Sequence, residues 1–401
     1  MKELQKEYMN WAKEVAEKIK KKSLVVADRS RHKIPYTTVK GVFNDCSEGG
    51  AICWWTNGFY GGMMWQLYHA TGEDLYKEIA MEIEEKLDRN LMTFWGMDHD
   101  SGFKWLTTAV ANYRLTGSEQ AYNRGRLAAD NLMGRFNLAG RFLRAWNDSE
   151  ECSRAGWAII DCMMNLPLLY WAYEETKDPR YLQVAVAHAD TAEKYFIRPD
   201  GSANHIVEFD PFTGEFIKSH GGQGVGEGSS WTRGQAWAIY GFTLSYLHTK
   251  NVKYLNVACK VADFFLASTP DTGFIPVDFR QPADCVLEDS TAAAIAACGM
   301  LEIARMLQED EVQMQGAAGS DKVKTQIGLS AVQAGKYFDA AIFMLQKLAE
   351  YRCNWSEDCD NILEKCTAAF HDKEHEFAII YGDYYFMEAI FKLTGEELFI
   401  W

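Results

Sequence analysis

MNLPLLYWAYEETKDPRYLQVAVAHADTAEKYF, Met164 to Phe196, is the stretch that decides the fold. An apolar run ends in a short polar turn, Thr176-Lys-Asp-Pro, and a second amphipathic run follows at once. The same device recurs along the chain: TGEDLY at Thr71–Tyr76, TGSEQAY at Thr116–Tyr122, TKDPRYL at Thr176–Leu182 and TKNVKYL at Thr249–Leu255. A weaker copy, AGKYFDAA, starts at Ala334, and TGEELF starts at Thr394. Thr with Gly or Asp supplies the turn and the next N-cap. Each copy follows an apolar run, and each but the last precedes another. One helical hairpin cannot bury its apolar face alone, so neighbours must stack.

Six turns imply about six hairpins, which either close into an (α/α)6 barrel or stack into an open solenoid. Ordinary amphipathic helices at both ends favour closure. In the first, Leu4, Tyr8, Trp11, Val15 and Ile19 fall at steps of three and four. The expected fold is therefore all-α, a single (α/α)6-barrel domain over residues 1–401.

Composition narrows the function. Lys and Arg number 41 against 56 Asp and Glu, a formal charge of -15, which argues against a nucleic-acid partner. The 10 cysteines include no Cys-x-x-Cys pair, and several, such as Cys162, Cys259 and Cys298, sit in apolar runs. That pattern points to a reducing compartment and a cytoplasmic protein. The N-terminus has no apolar signal core, and no apolar run is expected to approach the length of a membrane span. The 13 Trp, 19 Tyr and 22 Phe suit either core packing or a sugar-binding cleft.

Gly-rich polar stretches interrupt the helices at Asp98–Phe103, Asn147–Gly156 and Asp200–Ser230, and loops at one end of a helical ring form the rim of a pocket. Gln313–Gln326 reads instead as a polar surface insertion. Asp161 is a lone carboxylate inside the strongly apolar helix expected over WAIIDCMMNLPLLYWA. Burial there raises its pKa and suits a general acid, although a structural Asp bonded to a neighbouring helix fits the run equally well. In DHDSGF, His99 and Asp100 either face a pocket or belong to a self-satisfied turn. In HGGQGVGEGSSWTRGQAWAIYGF, His220 to Phe242, Trp231 and Arg233 are candidates for a stacking face and a cation. The glycines before that helix also hint at an anion cradle, but no P-loop Lys follows and no strand precedes. Trp146 lies at a loop edge, whereas the aromatics of CWWTNGFYGGMMW suit close helix packing. His371, Glu374 and His375 in HDKEH match a short zinc-protease spacing, and solvated charge is the better reading.

With these segments assembled, the chain resembles the unsaturated glucuronyl hydrolases, glycoside hydrolase family 88. WTNGF, HDSGF, IIDCMMNLPLLYWA, QGVGEGSSWTRGQAW, EDSTAAAIAACGMLEIA and IYGDYYFMEAI look like that family's landmarks, in order over nearly the whole chain. The resemblance implies an (α/α)6 barrel, with Asp161 as general acid/base and Asp100 as a second essential carboxylate. It places Trp55, His99, Trp146, His205, Gln223, Trp231, Arg233 and Trp237 on the sugar pocket. The loop Val225–Gly228 departs from the family pattern in being Gly-rich, which bears on substrate preference, and after Cys353 Lys373 is the available cation.

The implied reaction removes a 4,5-unsaturated uronic acid from the non-reducing end of a lyase-generated acidic oligosaccharide, of glycosaminoglycan type. Protonated Asp161 donates to C4, charge develops at C5 and the ring oxygen, and water adds at C5. An ionised Asp100 stabilises that charge. No metal or organic cofactor is required, and neither nucleic acid nor membrane is an expected partner. The alternatives are an unsaturated rhamnogalacturonyl hydrolase acting on pectin fragments, and a non-catalytic glycan-binding toroid. Oligomeric state is not legible in the sequence.

Overall fold

A computed structural model describes residues 2–150, 152–316 and 331–401. Its helices in chain order are α1 Lys2–Arg29, α2 Phe59–Thr71, α3 Asp74–Leu91, α4 Ser101–Trp105, α5 Ala111–Thr116, α6 Glu119–Gly134, α7 Leu166–Thr176 and α8 Pro179–Phe196. They continue as α9 Thr232–Thr249, α10 Val252–Ser268, α11 Ser290–Gly316, α12 Ala331–Tyr351 and α13 Ile380–Thr394. A π-helical turn, Leu106–Val110, joins α4 to α5 as one inner rod. The inner positions are α2, α4–α5, α7, α9, α11 and α13, each packed on the next, and α13 returns to α2. The outer positions are α3, α6, α8, α10, α12 and, against α13, α1. The hairpins form a closed ring, the (α/α)6 barrel, and not an open solenoid.

Position in the ring explains composition. Inner helices have protein on every side, so α9 is buried at every residue from Thr232 to Tyr246, and α13 from Ile380 to Phe391. One expectation is corrected here. The segment Ser290–Gln308 of α11 is long and apolar enough to cross a membrane, contrary to the reading of the sequence, yet 94% of it is buried inside the barrel. Its apolar character answers to neighbouring helices.

The repeated turn has a definite hydrogen-bond logic. In four of the turns the Thr hydroxyl donates back to a carbonyl four residues earlier: Thr71 to Leu67, Thr116 to Asn112, Thr176 to Ala172 and Thr249 to Ser245. The same oxygen accepts the amide two residues on, at Glu73, Ser118, Asp178 and Asn251. The residue between takes left-handed φ, at Gly72, Gly117, Lys177 and Lys250. Thr therefore closes the first helix, and Ser118, Asp178 and Asn251, two residues later, N-cap the second.

Short antiparallel strands occupy the loops that lead into the inner helices. β1 Thr38–Val39 pairs with β2 Val42–Phe43, and β3 Phe136–Asn137 with β4 Phe142–Leu143. A third sheet runs in the order β5 Trp157–Ile159, β6 Ile206–Phe209, β7 Phe216–His220. At the other end, the tail closes the base of the barrel. Gln66 brackets the backbone of Leu398, and Trp401 stacks on Tyr385 with ring centroids 5.8 Å apart. The segment Gln313–Gln326, expected as a surface insertion, lies outside the described residues past Gly316 and the side chains just before it.

Candidate active site

The N-terminal ends of the inner helices converge on a group of buried polar side chains. Asp161 is not inside a helix, as the apolar run suggested. It sits in a 3-10 turn, Ile160–Met164, between β5 and the start of α7. The run reads as continuous because strand, turn and helix are all buried, and burial hides periodicity. The pairing Ile159↔Ile206, extended by the Ile160 amide donating to the His205 carbonyl at 3.0 Å, brings His205 alongside Asp161. His205 Nε2 lies 3.7 Å from Asp161 Oδ1, within ion-pair distance but too far for a hydrogen bond.

His205 is held neutral, since burial first and the Arg233 charge second push its pKa down to about 3. The Gln223 amide donates to His205 Nδ1 at 3.0 Å, which puts the ring proton on Nε2, toward Asp161. This approach requires Gly222, whose φ is +57° and whose Cβ would lie 2.0 Å from Nδ1. Burial pushes the Asp161 carboxyl up to about 7, against a smaller opposing pull from Arg233.

Asp100 stands just before α4 and is 6% exposed. Burial, then Asp98 and Asp161, push it well above the carboxylate range, with Lys104 and a hydrogen bond from Asn165 opposing. Burial and the neighbouring carboxyls thus disfavour the ionised form of Asp100 in the free protein. The two carboxyls titrate as a pair that retains a proton at neutral pH. His99 Nε2 lies 3.3 Å from Asp100 Oδ2, without hydrogen-bond alignment, and burial holds this ring neutral.

Arg233 differs from its expected role as a cation open to the pocket. It is 1% exposed, with Nη1 donating to Asp289 Oδ2 at 2.7 Å and to the Thr367 carbonyl at 2.8 Å, and Nη2 to the Ala368 carbonyl at 2.5 Å. Trp231 stacks between Arg233, 4.4 Å from its ring centroid, and His205, 4.2 Å away. The Gly-rich loop before α9 is not an open anion cradle. Its Val225 and Ser230 amides are taken by the carboxylate of Asp278.

A family model, Glycosyl Hydrolase Family 88, matches residues 9–302. The chain belongs to this family. It is 34% identical to the unsaturated glucuronyl hydrolase of Bacillus sp. (strain GL1) over 88% of both chains. It is 32% identical to an unsaturated chondroitin disaccharide hydrolase of Streptococcus pneumoniae, covering 86% of this chain and 83% of that one. The fold matches the crystal structure of the Bacillus sp. GL1 enzyme with a TM-score of 0.81 at 31% identity, over 95% of this chain and 96% of that one. The unsaturated glucuronyl hydrolase of Streptococcus agalactiae gives a TM-score of 0.83 at 29% identity, over 97% and 93%. As a member of family 88, the chain is a glycosidase.

Within this family 88 barrel, Asp100, Asp161, His99, His205, Gln223, Trp231 and Arg233 are linked by the contacts above. Trp55 is half-buried, its ring 4.9 Å from Tyr381. Trp146 is half-buried near His99, with Arg154 5.6 Å from its ring. Trp237 differs from its expected place on the sugar pocket: it is fully buried, packed between Phe103 and Tyr385. In HDKEH, His371 Nε2 lies 3.1 Å from the Val225 carbonyl and His375 Nε2 3.0 Å from that of Phe370, so both rings fasten loops. Among the described residues no three His, Cys, Asp or Glu are grouped to hold a metal. Sequence reading missed Asn165, Asp289 and Tyr381. Asn165 carried a signal, as an isolated polar residue at the start of an apolar helix, whereas Asp289 is one of four consecutive polar residues, Glu288 to Thr291.

Proposed function

We propose that this glycosidase removes the 4,5-unsaturated uronic acid from the non-reducing end of lyase-generated glycosaminoglycan fragments. The observation that carries the reading is Asp161, a buried carboxyl whose pKa is raised to about 7 beside a neutral His205. A vinyl ether needs a proton on carbon before water can add, and such a carboxyl holds that proton at neutral pH.

Asp161 gives its proton to C4, and the C4=C5 electron pair forms the new C4–H bond. Positive charge then spreads over C5 and the ring oxygen. Ionised Asp161 takes a proton from the water that bonds to C5, which restores the acid. The resulting hemiketal opens and releases the remaining glycan. Asp100, sharing protons with Asp161, holds ring hydroxyls and offsets the developing charge. This route differs from the paired-carboxylate displacement at the anomeric carbon used by most glycosidases. Relatives named as chondroitin disaccharide hydrolases support a glycosaminoglycan product as substrate. The ten unpaired cysteines fit a cytoplasmic setting.

The test follows the ultraviolet absorbance of the conjugated double bond with unsaturated disaccharides from chondroitin, hyaluronan, heparin and pectin. Loss of absorbance on a glycosaminoglycan product is expected. Loss on the pectin product alone moves the assignment to the rhamnogalacturonyl class, and no loss on any sinks it. Because the donor must be protonated, kcat/KM is expected to fall as pH rises through about 7.

A further inference from the structure

Asp100 occupies the N-cap of α4, where an Asp side chain ordinarily accepts the amide of the second or third helical residue. It makes no such bond. The amide of the third residue, Phe103, instead donates to Asn165 Oδ1 at 2.9 Å. Asn165 lies four residues after Asp161, at the start of the neighbouring inner helix α7, and is fully buried. Its Nδ2 donates to Asp100 Oδ1 at 3.3 Å and to the Asp161 backbone carbonyl at 3.3 Å. The orientation of the amide is fixed, because the Phe103 N–H can only donate and must meet the oxygen. Gly102 permits the approach: a Cβ there would lie 2.5 Å from Asn165 Cα and 2.7 Å from Oδ1.

We infer that Asn165 is a positioning residue for the reaction: it caps α4 from the neighbouring helix, which releases the Asp100 carboxyl from capping and holds it toward Asp161. The inference rests on the reading of the reaction given above. An N-cap site is a convenient origin for an inward-facing carboxyl, but the helix competes for that carboxyl through its unpaired amides. A side chain from the next helix satisfies the strongest competitor. The same Nδ2 ties Asp100 to the backbone of the residue that bears the proton, so the two carboxyls move as one unit. A hydrogen bond donated to Asp100 also favours its ionised form, opposing the burial that raises it.

Two variants separate capping from orientation. Asn165→Asp keeps an acceptor for the Phe103 amide but replaces the Nδ2 donor with a third carboxyl. It is expected to melt below the wild-type temperature at neutral pH, because a third carboxyl is buried there, and when folded to lose about 100-fold in kcat with little change in KM. Its alkaline limb is expected at higher pH, because added acidic charge raises the pKa of the pair. Wild-type kcat and an unmoved limb in this variant would overturn the inference. Asn165→Ala removes the cap, and its crystal structure is expected to show the Asp100 carboxylate turned onto the Phe103 amide. A carboxylate left in its wild-type place overturns the inference without any need for substrate. Wild-type protein that turns over none of the unsaturated disaccharides sinks the reading of the reaction, while that structural arm still decides the role of Asn165.

Discussion

Two groups of buried carboxyls sit at opposite ends of the barrel, and their surroundings differ in one respect. At the base, Lys392 Nζ lies 2.9 Å from Glu302 Oε1 and 3.7 Å from Glu388 Oε1, and it also contacts Glu397. Arg305 reaches Glu302 at 2.7 Å, while Tyr240 and Trp401 donate to Glu388 at 2.5 and 2.7 Å. At the mouth, the charged-type neighbours in contact with Asp100 and Asp161 are His99 and His205, both held neutral by burial. Burial works to raise Glu302, yet Lys392 and Arg305 overcome it and leave this carboxyl below its ordinary value. Asp161, equally deep, rises to about 7. Glu397, the third carboxyl around a single lysine, takes up the surplus at the base and also rises to about 7. Burial raises a carboxyl unless touching cations outweigh it, as Lys392 and Arg305 do at Glu302 and as no cation does at Asp161.

The largest expected effect breaks the comparison at the mouth. Asp161→Asn keeps shape and hydrogen-bonding capacity but has no transferable proton, so turnover should fall by about 10²–10⁴-fold. Turnover within a few-fold of wild type, followed by absorbance, would remove Asp161 from the mechanism. The next effect tests the base. Lys392→Met leaves Glu302, Glu388 and Glu397 buried with no lysine and should cost about 3–5 kcal/mol of stability at neutral pH. The loss should shrink as pH falls and the carboxyls protonate, with kcat of the folded fraction unchanged. Denaturant melts at two pH values, paired with activity, check this; a drop in kcat would tie the base to the chemistry.

The smallest effect sharpens the contrast, because it has the opposite sign. The Asp161 pKa is higher folded than unfolded, so between about 4 and about 7 the folded state binds the extra proton and stability falls as pH rises. Asp161→Asn removes that dependence. The variant should be more stable than wild type above pH 7, by roughly 2–4 kcal/mol at most, and the gap should close toward pH 4. Thermal melts that show a constant gap, or a loss at high pH, would place the proton elsewhere.

What sequence reading resolved and what it missed follow from the range of the interactions. The Thr-centred turns were legible because their bonds join residues four and two apart, as at Thr71 and Thr116. Closure of the ring was only favoured, since it depends on contacts between the last inner helix, α13, and the first, α2. Asp161 was recognised as a buried acid, but its turn was taken for helix because every neighbour is apolar. Arg233 was taken as a free cation because its partner, Asp289, lies 56 residues away. Asn165 passed unnoticed because its partners Asp100 and Phe103 belong to another inner rod.

The helix that completes the outer layer is the first in the chain, and the inner helix it covers is the last. Lys20 bonds Glu396 across 376 residues. At ordinary synthesis rates of about 5–20 residues per second, α1 leaves the ribosome roughly 20–75 s before its partner exists. Through that interval its apolar stripe, Ala12, Val15, Ala16 and Ile19 among it, lacks the helix that covers most of it. The nascent chain is thus an unclosed arc with an apolar face left open until α13 arrives to receive it.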